Sequence, residues 1–436
     1  MSGTVTGAAV PVSLWRNRDY LLYRSARVVS MLGSQMTSLA GPLLALGLGG
    51  GAVQAGAMTT CWFLTQLLFQ LPAGYLADRF DQRRLMIGMD LVRLAAVGSI
   101  PVGSALGFLG FPQLLVVVFI EGAASTVFQS ASQVFIRFLM PPGQFARAAS
   151  QAQLSFGVVS VLGPTLGGAL YAVGHVVPFV VDTASYVVSG LLLCAVAARG
   201  GSAVSVASSA STTSEAAGQE PADQRVTAGL LWLWRQRATL RSVLFCTVLN
   251  LVGAAMGVVT LVVLTRHGTS AGVVGVVMGW SGAGVIAGSL LARRAQALGR
   301  WLYPAIGLLW TGALGAVSVS QSSWTIGVVL TTLAFASPAV AVRLLQILRD
   351  DAPAELYGRV LAAEQLVSTS LLAVAPLLAG FLLAAVGRSR TWLVFAALCL
   401  GATSLTVQRP PKAERAANTP PPGLFPAEPS MVGDGS

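Results

Sequence analysis

Charge is what this chain has least of. Only 10% of its 436 residues are Asp, Glu, Lys or Arg, against about 25% in soluble globular proteins, so an ordinary water-facing surface cannot be built from it. Lysine is almost missing: of 27 basic residues only Lys412 is a lysine. The formal net charge of +11 is carried by arginines at the ends of apolar runs, not along one face, and that excludes a nucleic-acid footprint. The two histidines, His175 and His267, fall in separate short loops. Neither an H-E-x-x-H pattern nor an acidic metal pair occurs, which argues against a membrane-embedded enzyme; no metal and no cofactor is expected. Cys61, Cys194, Cys246 and Cys399 all lie inside apolar runs and read as small packing residues, not disulfides or metal ligands. No cleavable signal peptide is expected, because the first dozen residues are small and polar and the basic cluster comes just before the first apolar run.

Long hydrophobic runs fill the rest. The chain is 54% hydrophobic with a mean hydropathy of +0.73. Since a membrane helix needs about 20 apolar residues, the runs predict an all-α membrane protein of twelve spans. The spans fall at about 28–48, 55–77, 85–107, 112–138, 150–173 and 177–198, then 242–264, 272–292, 301–320, 323–345, 359–386 and 391–408. Residues 1–13 and the Pro-rich tail 409–436 are expected to be disordered. Residues 200–225 are rich in Ser, Ala and Thr without apolar periodicity and predict a linker. Over 226–240, Trp232 and Trp234 stand among Arg235, Arg237 and Arg241, the pattern of a helix lying at headgroup level. The domains expected are therefore 14–199 and 226–408. Arg93 lies inside a span, and Arg266, Arg388 and Arg390 fall in loops on one side; every other basic residue falls on the opposite side. The positive-inside rule puts that basic side, with both termini, in the cytoplasm. A plasma-membrane location is expected.

The two halves repeat. At an offset of 212, Arg147 meets Arg359, Gln153 meets Gln365, Pro164 meets Pro376 and Gly168 meets Gly380; at 214, Gly74 meets Gly288 and Arg79 meets Arg293. A duplicated unit with an even number of spans enters the bilayer twice from the same side. This gives two six-helix bundles related by an axis along the membrane normal, with a cavity at their seam.

Between spans 2 and 3 stands Gly74-Tyr75-Leu76-Ala77-Asp78-Arg79-Phe80-Asp81-Gln82-Arg83-Arg84. This order resembles the helix 2–3 loop of the major facilitator superfamily of transporters. The family usually has Gly where Asp81 stands and a base where Gln82 stands; an acid at 81 is similar to the exporter branch that handles siderophores and macrolides. Asp350–Arg359 and Gly229–Arg241 also resemble that branch. Gly163-Pro164-Thr165-Leu166-Gly167-Gly168 is similar to the span 5 motif of the family's proton-driven antiporters, except that Val159 stands where a further Gly is usual. The resemblance implies the twelve-helix facilitator fold, a lipid bilayer, a small-molecule substrate and protons as partners, and a monomer. In the resembled family the helix 2–3 loop stabilises the outward-facing state. By charge, Asp78 can accept N–H groups at the start of span 11, around Gly358, Arg359 and Leu361, where the helix dipole favours an anion. Gly74, Arg79, Arg83 and Arg84 complete this expected gate. Glycines and Pro164 suggest a bend in span 5.

A carboxylate at mid-bilayer costs roughly 2.5–3.5 kcal/mol, so Glu121, about ten residues into span 4, is the main chemical candidate. It either carries the coupling proton, contacts a cationic or hydroxylated substrate, or fastens two helices. Ser125 and Gln129 follow on the same face. Gln35, Ser38 and Asn250 are candidate cavity-lining groups. Asp90 and Arg93, at i and i+3, are expected to pair; Asp182 is expected at a helix start, and Glu364 near the cytoplasmic gate. The function this supports is a proton-coupled antiporter exporting an amphipathic drug or natural product. The alternatives are an importer or uniporter of a small metabolite, which a charged midplane cluster would favour, and a transport-inactive scaffold.

Overall fold

The computed structural model describes residues 17–139, 145–197, 222–320, 322–353 and 356–407. The expected disordered termini and most of the linker lie outside these. Thirteen α-helices cover the described residues: α1 (Arg18–Gly47), α2 (Ala52–Arg79), α3 (Gln82–Ala105), α4 (Phe111–Leu139), α5 (Phe145–Val173), α6 (Val177–Ala195), α7 (Ala222–Arg235), α8 (Arg237–Arg266), α9 (Ala271–Ala295), α10 (Leu302–Val319), α11 (Ser323–Asp351), α12 (Tyr357–Val386) and α13 (Arg388–Val407). All but the short α7 are membrane helices, six in each half. Nine segments among the described residues pass a strict test of length and apolar composition, and one of them, Ala271–Val319, contains both α9 and α10. Helix α2 falls short because Gln54, Gln66 and Gln70 dilute it, and α13 because it opens on two arginines. Yet the 20 residues of α13 still span about 30 Å, the thickness of the hydrocarbon layer.

The helix after the linker differs from the expectation of 226–240. Helix α7 ends at Arg235, Gln236 leaves helical geometry, and α8 begins at Arg237. Trp234 is exposed and Leu233 buried, so α7 has one apolar face packed on α12. There Gly229 lies against the Arg359 carbonyl, where a Cβ would come within 2.2 Å.

Packing follows a two-fold plan. Helix α1 packs on α5 and α6, α2 on α4, α3 on α4 and α6; in the second half α8 packs on α12 and α13, α9 on α11, α10 on α11 and α13. The halves meet through α5 with α9 and through α12 with α2. At both seams small residues bring backbones together. A Cβ on Gly275 would sit 2.4 Å from the Pro164 carbonyl, and one on Gly56 2.5 Å from the Pro376 carbonyl. A Cβ on Gly168 would meet the Ala271 carbonyl, and one on Gly380 the Ala52 carbonyl. These contacts confirm the 212 offset for α5 and α12 and correct the one for α2. Gly56 matches Gly275 and Ala52 matches Ala271, an offset of 219, so Gly74 and Gly288 are not equivalent positions. A five-residue slip of this kind, about 1.4 turns, is invisible where Gly and Leu recur throughout a span.

The end of the molecule bearing Arg79–Arg84 is here the basic end, and the opposite end the far end. The seams are tight toward the far end. At the basic end, a Cβ on Gly74 or Gly358 would meet nothing within 4 Å.

Candidate substrate cavity and buried acid cluster

Between the halves lies a cavity of about 810 Å³. Helix α1 supplies one wall at helical spacing: Tyr20, Arg24 and Arg27 toward the basic end, then Ser34, Gln35 and Ser38, then Pro42. Ser125 and Gln129 of α4 line it as well, as does Pro164 of the span 5 motif. Among the described residues the second half contributes Gly257, Val258, Leu261 and Met278, none of them polar. Asn250 is a correction: it is exposed, seven residues from Gly257 toward the basic end, and is not part of this lining. Near the mouth, Arg24 donates to Gln151 at 2.6 Å and to Ser155 at 3.2 Å, and the Tyr20 hydroxyl donates to Gln151 at 2.8 Å. These bonds fasten α1 to α5.

Glu121 does not face the cavity. It is 5% exposed and turns into a side pocket of about 80 Å³ that shares Ser34, Ser38, Pro42, Thr59 and Trp62 with the cavity. Behind it is a polar cluster held by four helices. The Tyr186 hydroxyl lies 3.2 Å from Glu121 Oε1, 3.2 Å from Asp182 Oδ2 and 3.0 Å from the Ser34 hydroxyl. Asp182 also accepts from Thr37 and, at 3.2 Å, from Ser185. Asp182 is thus no helix-start residue: it is the sixth residue of α6, fully buried. Gly33 admits it, since a Cβ there would come within 2.3 Å of Asp182 Oδ1.

Arg93 pairs with Asp90 at 2.6 Å, as the i, i+3 spacing predicts, and Ser189 donates to the other Asp90 oxygen at 2.7 Å. The guanidinium stacks between the Phe128 and Tyr186 rings, 4.4 and 4.8 Å from their centroids; such desolvated cation–π contacts are worth about 2 kcal/mol. The cluster therefore holds three carboxyls and one guanidinium in the membrane interior. Buried charges of this kind need partners. Tyr186 has a single hydroxyl hydrogen but touches two carboxyl oxygens, while Thr37 and Ser185 also donate to Asp182. The apolar pattern of the spans gave no sign of a charged midplane cluster; its signal was Asp182, Ser185, Tyr186 and Ser189 at i, i+3, i+4 and i+7.

The helix 2–3 loop divides by role. Asp81 caps α3, accepting from the Arg84 N–H at 2.8 Å. Gln82 is buried and donates to the Ala77 carbonyl at 2.9 Å, and Arg83 donates to the Leu193 carbonyl at 2.8 Å and to that of Cys194. These bonds satisfy the ends of α2 and α6. Arg79 donates to the Tyr75 hydroxyl at the surface. Asp78 is exposed, and among the described residues no hydrogen bond joins it to Gly358–Leu361. The expected latch is unmade in this conformation. In α5, Gly163 and Gly167 admit α1: their Cβ atoms would meet Gln35 and Met36 at 2.4 and 2.7 Å. The helix is continuous through Pro164. Glu364 accepts from Ser368 at 2.8 Å, one turn away.

Two symmetric bundles around a cavity, with ionisable groups in its wall, define a membrane transporter and not an enzyme. A family model described as the Major Facilitator Superfamily matches residues 25–371, and the chain belongs to that superfamily. Among curated proteins it is similar to the uncharacterized MFS-type transporter YfiS of Bacillus subtilis, 26% identical over 82% of this chain and 85% of that one. Two further matches are partial. YkuC of Bacillus subtilis is 23% identical over 42% of each chain, and macrolide efflux protein A of Streptococcus pyogenes is 25% identical over 36% of this chain and 39% of that protein. The chain thus spans about two fifths of those relatives. A crystal structure of a bacterial homologue of the lysosomal transporter Spinster, inward-facing and unoccupied, superposes with a TM-score of 0.68 at 14% identity, covering 90% of this chain and 96% of that one.

Proposed function

We propose that the protein is a proton-coupled exporter of amphipathic small molecules, working by alternating access as a monomer in the plasma membrane with its basic end and both termini in the cytoplasm. The observation that carries this reading is the Glu121–Tyr186–Asp182 bridge behind the wall of a cavity that reaches the basic end. A buried carboxyl pair binds a proton when sealed from water and releases it when the wall moves and water enters. Glu121 is the proton carrier and Asp182 its partner; Gln35, Ser38, Ser125 and Gln129 contact the substrate. The partial likeness to a macrolide efflux protein supports the outward direction. In this conformation the halves are joined toward the far end, so the cavity is in its substrate-loading state. The opposite state closes when Asp78 reaches the start of α12.

The test is uptake of labelled amphipathic compounds into inside-out vesicles carrying the protein. Uptake should require an imposed pH gradient, collapse with an uncoupler and disappear in Glu121→Gln. Uptake that survives both the uncoupler and Glu121→Gln sinks the proton role. The charged midplane cluster favours a second reading, an importer or uniporter; an importer would show as accumulation in right-side-out vesicles alone, a uniporter as gradient-independent equilibration in either orientation.

A further inference from the structure

We propose that the cavity selects substrates bearing an anionic group, held by Arg27 and Arg93, on an apolar or aromatic body. The inference rests on reading the cavity as the substrate site. Among the described residues three charged side chains line it, Arg24, Arg27 and Arg93, and no carboxylate does. The three acids of the neighbouring cluster, Asp90, Glu121 and Asp182, lie outside that lining. Arginines at the mouth alone would express only the positive-inside bias. That bias does not account for Arg93, which stands at the middle of α3, where a guanidinium is costly.

The pairing of these arginines is incomplete. Arg93 is 3% exposed; its one acid, Asp90, is met through Nη2, and its Nε has no partner. A buried guanidinium at a cavity wall that spends one nitrogen on its acid keeps further N–H groups for an acceptor. Arg27 is half-buried, and among the described residues it makes no hydrogen bond or ion pair. The rest of the lining includes Ser and Gln side chains with Trp62, Phe63, Phe156 and Met278. Those groups suit an apolar body, and about 810 Å³ is the volume of a drug-sized site. An anion would supply acceptors to these guanidinium N–H groups. A cation would meet three guanidiniums in the cavity lining, the acids lying behind it.

A matched pair of fluorescent probes tests this without any gradient: 1-anilinonaphthalene-8-sulfonate and its uncharged core, N-phenyl-1-naphthylamine. Each is titrated into the full chain in zwitterionic nanodiscs, with empty discs subtracted. The sulfonate should bind saturably at least about tenfold more tightly than the neutral core, the worth of one charge-assisted hydrogen bond. Arg27→Gln should remove about that factor for the sulfonate and leave the neutral probe unchanged. The double variant Arg93→Gln with Asp90→Asn, which removes the pair without stranding an acid, should do the same. Equal affinity for the two probes, or equal losses in the variants, overturns the anion preference and leaves proton coupling standing. Saturable binding of neither probe overturns the cavity as the substrate site. Loss of proton-driven uptake in Glu121→Gln with sulfonate binding intact separates coupling from recognition.

Discussion

At the scale of single residues, the cluster behind the cavity turns on one hydroxyl. Tyr186→Phe keeps the ring that stacks on Arg93 but removes the hydrogen that two carboxyls share. Hydrogen bonds to charged groups contribute about 1.5–3 kcal/mol. The variant should therefore fold with a lower melting temperature and lose the dependence of uptake on the pH gradient. A Tyr186→Phe protein with wild-type coupling would show that the bridge is only structural. Gly33 tests the packing beneath. Gly33→Ala places a methyl group 2.3 Å from Asp182 Oδ1 and 2.4 Å from the Ser185 hydroxyl. Overpacking of this kind costs about 1–3 kcal/mol, to be seen as a lower melting temperature of the purified protein. Glu121 was legible because a carboxyl ten residues into an apolar run is too costly to stand there without a partner or a task. Asp182 was not, because its place follows from the polar face it shares with Ser185, Tyr186 and Ser189 and not from its distance from the helix end. Counting from a helix end therefore says nothing of which neighbour an acid meets.

At the scale of elements, the helix 2–3 loop is a set of helix terminations with one exposed acid. The sequence order was readable as a family motif, but the split of roles within it required the caps to be seen. Asp81 stands where glycine is usual, and its side chain caps α3. Loss of such a cap costs about 1 kcal/mol, whereas glycine in its place costs only a few tenths. Asp81→Ala should lower thermal stability measurably and Asp81→Gly barely; equal losses would show that the cap carries no weight. Helix α1 begins at Arg18, ahead of the expected residue 28, because Arg24 and Arg27 lie within the helix, but most helix boundaries were legible from the apolar runs. The break at Gln236 was not, since Trp and Arg continue across it without a change of pattern. The register of α2 against α9 was also hidden, because small residues recur at several offsets and only the backbone approach of Gly56 and Gly275 decides among them.

At the scale of the whole molecule, transport requires the two seams to open toward the far end while the basic end closes. Both seams are backbone contacts through glycine, so they switch between joined and parted with little side-chain rearrangement, the bistable packing that rigid-body transitions need. Bulk at a seam should act as a wedge. Gly275→Leu would drive side-chain atoms into the Pro164 carbonyl and Gly168, which already lie 2.4 and 3.0 Å from a Cβ at that position. A penalty of about 1–3 kcal/mol on the joined state shifts a two-state equilibrium by about one to two decades. Spin labels at Val173 and Gly272, on the far-end tips of α5 and α9, should then gain a longer-distance population. With the far end parted, the basic end closes, and Asp78 comes into use. Adding Asp78→Ala to the wedge should restore the shorter distance and raise maleimide labelling of a cysteine at Gly358. If the wedge lengthens the α5–α9 distance but Asp78→Ala leaves both readouts unmoved, the two ends are not coupled through that acid.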